Sequence, residues 1–113
     1  MKRLPNYTNA EIAIEKLAEY CLNDLHPVGK QKAIVFKSAL GITVEHASLL
    51  KEAIYEGLKH YPSSEKVNDK YGKRYLVKMK LCIFEKEAVV ITSWIIKEGE
   101  DFARLTTCYI KRK

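Results

Sequence analysis

A histidine and two lysines cluster at the predicted start of a helix, and together they could bind and act on a phosphate group. The residues are His26, Lys30 and Lys32. Pro27 suits the first helical turn, because its φ is fixed and it has no N–H to leave unpaired, and Gly41 suits the position after the last turn. A helix N-terminus presents free N–H groups and the positive end of the helix dipole. The sequence therefore predicts an anion site at this end of the helix, with a phosphate as its ligand.

The charge of the chain favours a polyanionic partner. The net charge is +6 at pH 7. Residues 1–43 contribute +2, residues 44–69 contribute −2 and residues 70–113 contribute +6. A basic surface of this kind attracts the phosphates of nucleic acid. The alternative is a lysine-rich face that is only solvated.

The composition is that of a globular protein. The 113 residues, 47% of them hydrophobic, predict one domain over residues 1–113. No apolar run is long enough to span a membrane, and none follows the basic N-terminal residues as it would in a signal peptide. Cys21, Cys82 and Cys108 have no paired spacing, which argues against a disulfide framework or a zinc site. We therefore predict a cytoplasmic protein with no membrane partner, no metal and no cofactor.

Apolar spacing predicts two or three helices in the N-terminal half. The pattern over residues 9–24 fits a short strand at residues 11–14 followed by a helix at residues 15–23. A single helix that begins at Asn9 fits almost as well. The sequence alone leaves both alternatives open.

The next two helices have clearer limits. The helix that contains Lys32 ends at Leu40, and this lysine flanks its apolar stripe. Thr43 can cap a third helix over residues 44–60. Residues 62–70 are polar and are predicted to form a mobile loop.

Alternation with a period of two begins near residue 71 and predicts strands. The first strand, residues 71–84, has an apolar face and a basic face, and the basic face carries Arg74, Lys78 and Lys80. Residues 88–96 are apolar on both faces, which is typical of a central strand, and residues 104–110 form the last strand. The fold class is therefore predicted to be α+β. Two or three N-terminal helices pack on one face of a three- to four-stranded antiparallel sheet formed mainly by the C-terminal half.

Five short motifs occur in order along the chain. They are His26-Pro27-x-Gly29-Lys30-x-Lys32-Ala33-x-x-Phe36, Leu40-Gly41-Ile42-Thr43, Tyr71-Gly72-x-Arg74-Tyr75, Thr92-x-Trp94-Ile95 and Leu105-Thr106-Thr107-Cys108-Tyr109. In this set the chain resembles a bacterial family of unknown function. That family occurs as short stand-alone proteins and as C-terminal toxin segments of large secreted proteins. The resemblance implies a toxin-like role and, as partner, an antitoxin or another protein.

The order of helices followed by an antiparallel sheet also resembles the barnase–EndoU–colicin–RelE group of metal-independent ribonucleases. This resemblance implies cleavage of RNA by some mixture of His, Lys, Arg, Thr or Ser, and Tyr side chains around the sheet. Cleavage without a metal needs a base for the 2′-hydroxyl proton, cations for the phosphate and an acid for the leaving oxygen. It is an analogy of fold, and a fold by itself does not determine function.

Carried over to this chain, the resemblance implies two sets of site residues. The predicted catalytic set is His26, Lys32, Arg74, Thr92, Thr106 and Tyr109. The predicted nucleic-acid-binding set is Lys30, Tyr71, Lys78, Lys80 and Trp94. His26 would be the general base or acid, because an unperturbed imidazole titrates near neutral pH, and Lys32 and Arg74 would stabilise the phosphate. The hypothesis requires the start of the second helix to lie against the basic face of the sheet.

Structural explanations compete with each of these assignments. A histidine before a proline commonly caps a helix, threonine and tyrosine are favoured in any strand, and Trp94 on a central strand is a typical core residue. Two other functions also fit the sequence. One is a noncatalytic nucleic-acid-binding module that uses the basic face, and the other is a protein-interaction subunit.

Overall fold

The structure is a computed structural model that describes residues 2–111. Helices occupy the N-terminal half, and the C-terminal half forms a four-stranded antiparallel sheet in the order β1-β2-β3-β4. The helices are α1 (Ile14–Lys16), which continues as a π-helical turn (Leu17–Cys21), α2 (Lys30–Leu40) and α3 (Ala47–Leu58). The strands are β1 (Ser63–Glu65), β2 (Gly72–Ile83), β3 (Lys86–Lys97) and β4 (Arg104–Ile110). The predicted α+β class is confirmed.

The long β2–β3 hairpin forms the centre of the sheet. Its register runs from Gly72 opposite Lys97 to Ile83 opposite Lys86. The two residues between the strands both have positive φ, which matches the right-handed twist of a two-residue hairpin. β3 lies between β2 and β4, as its apolar pattern on both faces predicts.

The prediction of a loop over residues 62–70 is wrong for Ser63–Glu65. These three residues form β1, which pairs with β2 and places Ser63 opposite Val77. The strand is short, polar and largely exposed, and it lies at the edge of the sheet. Its stability comes from backbone pairing, so it has no hydrophobic alternation from which the sequence could reveal it.

The strand predicted at residues 11–14 is reduced to one parallel bridge between Glu11 and Arg104. The Glu11 N–H donates to the Ala103 carbonyl at 2.8 Å, and the Leu105 N–H donates to the Glu11 carbonyl at 2.9 Å. A helical segment then begins at Ile14. This bridge anchors the N-terminal segment beside the start of β4.

The second helix begins at Lys30, which is three residues later than Pro27 predicts. The turn before it is closed by the Lys30 N–H, which donates to the His26 carbonyl at 3.0 Å. Gly41 ends the helix with φ 69°, as predicted.

A 3₁₀ turn (Val44–His46) occupies the predicted start of the third helix, and α3 begins after it at Ala47 and ends at Leu58, short of the predicted end at residue 60. The Thr43 N–H donates to His46 Nδ1 at 2.9 Å, which completes a capping arrangement before α3.

The helices pack on one face of the sheet, as predicted. The interior contains fully buried side chains from both halves of the chain, among them Leu17, Phe36, Leu50, Ile54, Val77, Met79, Trp94 and Cys108. Exposed Lys78 and Lys80 alternate with buried residues of β2 and therefore lie on the outer face of the sheet.

Within residues 2–111, no single helix is long and apolar enough to cross a membrane. The segments Lys30–Leu40 and Val44–Leu58 reach the required length and composition only together, and they are bent by 74° relative to each other.

Candidate functional site

An open pocket of about 480 Å³ lies where the N-terminal segment, the start of α2 and the strand β4 meet. Its lining residues are Ala13, Glu15, Lys16, Tyr20, Lys32, Thr106 and Thr107. We call it the Lys32 pocket. Two of its lining residues, Lys32 and Thr106, belong to the predicted catalytic set.

Lys32 is held in this pocket by neutral groups. Its Nζ donates to Thr107 Oγ1 at 2.9 Å and to the Tyr20 hydroxyl at 3.4 Å. The same nitrogen lies 4.8 Å from the centre of the Tyr20 ring and 5.8 Å from that of the Tyr109 ring, within the range of cation–π attraction. In the part of the chain that the structure describes, Lys32 forms no ion pair with a carboxylate. Its positive charge is therefore fixed in position and able to meet an anion.

The strand β4 is irregular where it borders the pocket. Ser93 lies opposite Thr107 and Trp94 lies opposite Leu105, so Thr106 is an extra residue in β4. Such a bulge redirects side chains, and bulges recur beside functional sites. Here the Thr106 hydroxyl donates to the Ser93 carbonyl at 3.1 Å, and two successive threonines line one pocket.

His26 does not line the pocket, but it contacts Tyr20, which does. The two rings meet edge to face with their centres 4.9 Å apart. His26 Nδ1 accepts hydrogen bonds from the Val28 N–H at 3.0 Å and the Gly29 N–H at 2.9 Å. Because both partners can only donate, Nδ1 carries a lone pair, and the hydrogen of the neutral ring lies on Nε2. The ring in this state can donate a hydrogen bond from Nε2 but cannot remove a proton there.

A pair of buried cysteines lies behind the pocket. Cys21 Sγ is 3.7 Å from Thr107 Oγ1. A hydrogen bond from the Cys108 thiol, another from Thr107 and the charge of Lys32 lower the pKa of Cys21 to about 6, although burial opposes the shift. The hydrogen bond to Cys21, together with burial, raises the pKa of Cys108 well above its usual value. These contacts favour the thiolate form of Cys21, which lies behind Thr107.

The low pKa of Cys21 makes stability depend on pH. The unfolded chain keeps this thiol protonated at pH values where the folded chain has lost the proton, so stability rises as the pH increases above about 6. The slope from this one group is at most about 1.4 kcal/mol per pH unit. We expect the free energy of unfolding, measured in urea at pH 6, 7 and 8, to rise more steeply with pH for the wild type than for Cys21→Ser. Cys82→Ser, at an exposed thiol, is the control, and equal slopes in all three proteins would contradict the assignment.

The remaining members of the predicted sets do not line the Lys32 pocket. Lys30 is exposed in the first turn of α2, and Tyr109 approaches Lys32. Arg74 Nε bonds to Asp69 Oδ2 at 2.8 Å, and the Tyr71 N–H donates to the other oxygen of the same carboxylate. The structure thus places Arg74 with Asp69, and neither it nor Tyr71 lines the pocket.

The two predicted lysines of β2 also lie apart from the pocket. Lys78 is exposed, and Lys80 Nζ lies 3.3 Å from a carboxylate oxygen of Glu87. They belong to the basic outer face, as the alternation predicts. If these lysines bind nucleic acid, they do so on a second surface, separate from the Lys32 pocket.

Thr92 and Trp94 form a buried pair in the core. Both side chains have no exposed surface. The Thr92 hydroxyl donates to the Val77 carbonyl at 2.9 Å and accepts the Trp94 Nε1–H at 2.8 Å. The indole thus offers no face on which a base could stack, and we leave both residues out of the proposed site.

Thr92→Val tests this structural role. Valine has nearly the same shape but leaves the indole N–H without its partner, and an unsatisfied buried donor costs about 1–3 kcal/mol. We expect the free energy of unfolding, measured in urea, to fall by that amount. Thr106→Val is the matched control at a half-buried position that borders open solvent, and a similar loss in both variants would contradict the prediction.

Sequence reasoning missed Tyr20, Thr107, Glu15 and Lys16 as lining residues. The contacts of Lys32 with Tyr20 and Thr107 join residues 12 and 75 positions apart. Spacing within one helix or strand indicates which residues share a face, but it does not show which elements meet. The one available signal was the Leu105–Tyr109 motif, which contains Thr107 beside the predicted Thr106.

The fold and the pocket together define an α+β protein with a lysine-lined pocket beside an edge strand. The chain belongs to the family described as a domain of unknown function (DUF6883), whose model matches residues 3–112. This confirms the resemblance to a family of unknown function. Comparisons with curated proteins and with solved structures give no match.

Proposed function

We propose that this domain binds RNA at the Lys32 pocket and cleaves its phosphodiester bonds without a metal ion. The observation that carries the proposal is the position of Lys32. Its ammonium is fixed by two hydroxyl groups and two aromatic rings at an open pocket. Within residues 2–111 it forms no ion pair with a carboxylate. A fixed cation that faces the charge developing on a phosphate supplies the electrostatic part of catalysis, which is commonly the largest part.

The pocket also contains a group that can accept a proton. Glu15 is the carboxylate among its lining residues. In the proposed reaction the 2′-oxygen attacks the phosphorus, its proton passes to Glu15, and the bond from phosphorus to the 5′-oxygen breaks. The leaving oxygen takes a proton from water, and the resulting hydroxide recovers the proton from Glu15. The products are a 2′,3′-cyclic phosphate and a free 5′-hydroxyl.

His26 has a supporting role in this scheme. Its Nδ1 is engaged by two backbone N–H groups, so the Nε2–H is free to donate a hydrogen bond to a phosphate oxygen. The proposal therefore assigns His26 to phosphate binding and to the support of Tyr20. It does not assign His26 the transfer of a proton.

The decisive experiment incubates the purified chain with mixed RNA in EDTA at several pH values. We expect cleavage that leaves 2′,3′-cyclic phosphate ends, and no cleavage of an oligonucleotide that lacks 2′-hydroxyls. Glu15→Gln should lose activity by about 10²–10⁴, the usual contribution of a general base. Glu19→Gln is the matched control, because Glu19 is exposed on the next helical turn and does not line the pocket.

Two outcomes would contradict the proposal. Intact RNA after incubation with the wild type at every pH would remove the catalytic role. Binding that weakens steeply with salt, but without cleavage, would then favour the noncatalytic nucleic-acid-binding module. A wild-type protein that neither binds nor cleaves RNA would favour the protein-interaction subunit.

A further inference from the structure

A second cavity continues the Lys32 pocket along β4. It has a volume of about 230 Å³, and its lining residues are Glu11, Ala13, Lys16, Ile95, Lys97, Arg104, Leu105 and Thr106. Three of these, Ala13, Lys16 and Thr106, also line the Lys32 pocket. The two cavities therefore adjoin along β4, and we call them together the β4 groove.

Three lysines are distributed along this groove. Lys32 lies at one end, Lys16 at the wall common to both cavities, and Lys97 at the other end. Within the described part of the chain, none of the three forms an ion pair with a carboxylate. The groove therefore has more positive charge than the Lys32 pocket needs for one phosphate.

The carboxylates of the groove do not cancel this charge. Glu11 Oε2 lies 2.9 Å from Arg104 Nη1, and Arg104 Nη2 lies 2.8 Å from Glu100 Oε2. These contacts raise the pKa of Arg104 and lower that of Glu100. The guanidinium offsets one of the two carboxylates, so the three groups together keep one negative charge. Among the described residues, Glu15 adds a second negative charge, and the three lysines outnumber these two charges, so the groove is positive.

Tyr20 lines the groove, and Phe102 lies outside the lining residues in contact with Arg104. The guanidinium of Arg104 lies 4.8 Å from the centre of the Phe102 ring. Both rings are half-buried. A charged groove with aromatic side chains is the usual arrangement by which proteins bind single strands, because unpaired bases stack on the rings.

We propose that the β4 groove binds single-stranded RNA beyond the scissile bond and holds a second phosphate between Lys16 and Lys97. From Arg104 to Thr107 the strand extends about 10 Å at a rise of about 3.3 Å per residue. A nucleic-acid strand carries more than one phosphate over a length of about 10 Å. An RNA strand bound at Lys32 can therefore reach this second subsite. The inference rests on the proposed function and specifies the substrate of the same site.

The test compares the affinities of two RNA ligands that carry a 2′-O-methyl group in place of the attacking hydroxyl. One is a dinucleotide with a single phosphodiester, and the other is a single-stranded hexanucleotide. We expect the wild type to bind the hexanucleotide at least about tenfold more tightly, the equivalent of 1.4 kcal/mol. The slope of log affinity against log salt should also be steeper for the hexanucleotide, by about 0.7 per additional phosphate contact.

Lys97→Gln identifies the subsite, because Lys97 lines the second cavity but does not line the Lys32 pocket. It should reduce the ratio of the two affinities and the difference between the two salt slopes. Lys37→Gln is the control, because this exposed lysine lines a cavity between α2 and the segment after it. Equal ratios in the two variants, or a wild type that binds both ligands equally, would overturn the subsite.

Other outcomes separate this inference from the proposed function. Cleavage of an unmodified dinucleotide with no gain in affinity from the longer strand would overturn only the second subsite. No binding of either ligand would overturn the proposed function together with the subsite. A hexanucleotide duplex bound as tightly as the single strand would overturn the assignment to single-stranded RNA.

Discussion

Lys32→Met is expected to lower kcat for RNA cleavage by about 10²–10³, the usual loss when one fixed group that stabilises transition-state charge is removed. Methionine keeps an unbranched stem of similar length, so the packing beside Tyr20 changes little. The variant removes the charge that Thr107 and Tyr20 hold in the pocket. KM should change less than kcat, because the charge on the phosphate is greatest in the transition state.

The control for this prediction is Lys37→Met. Lys37 lies on the same helix, is exposed, and does not line the Lys32 pocket. Kinetics with a short RNA in EDTA, together with urea unfolding of both variants, separates a lost charge from a damaged fold. A loss in kcat that is the same in both variants would contradict the role of Lys32.

The sheet was largely predictable because its signals are local and regular. Alternation over residues 71–84 indicated β2, the continuous apolar run indicated the central β3, and β4 has the predicted limits Arg104–Ile110. Each signal extends over at least seven residues that face a buried core. β1 has three polar residues paired through their backbones, and no such signal exists for it.

The site was less predictable because it depends on contacts between distant elements. The sequence placed Lys32 at the edge of an apolar stripe, and the structure shows what that edge faces, Thr107 and Tyr20. It also placed Arg74 correctly on the basic face of β2, but the partner of Arg74 is Asp69, five residues earlier. Periodicity indicates the direction of a side chain and does not identify the group that it meets.

Buried polar residues are the other reason why the predicted site differs from the site in the structure. Thr92 has the chemistry of a site residue, and the sequence offers no sign that its hydroxyl is used to satisfy the Trp94 indole. A buried N–H requires a partner, and a threonine two residues away on the same strand face can supply it. The same residue types therefore serve the core in β3 and line a pocket in β4.

Gly29→Ala is expected to have the largest effect on stability among the variants considered, a loss of about 3 kcal/mol, typical of forced overpacking. Gly29 is buried and has φ −80°, a value open to any residue, so its backbone conformation does not require glycine. The requirement comes from contact, because a Cβ at this position would overlap the backbone carbonyl of Tyr20. A backbone atom cannot rotate away as a flexible side chain can, so one of the two segments must move.

Either movement would disturb the site. The Gly29 N–H is one of the two donors to His26 Nδ1, and Tyr20 contacts both His26 and Lys32. We therefore expect Gly29→Ala to lower both the urea midpoint and the rate of RNA cleavage. Gly99→Ala is a useful comparison. Gly99 has φ 86°, and a Cβ added there meets no described atom within 4 Å, so the loss of stability in this variant comes from backbone strain alone. If cleavage fell equally in both variants, or if Gly29→Ala folded with wild-type stability, the close approach of this turn to Tyr20 would not be what positions the pocket.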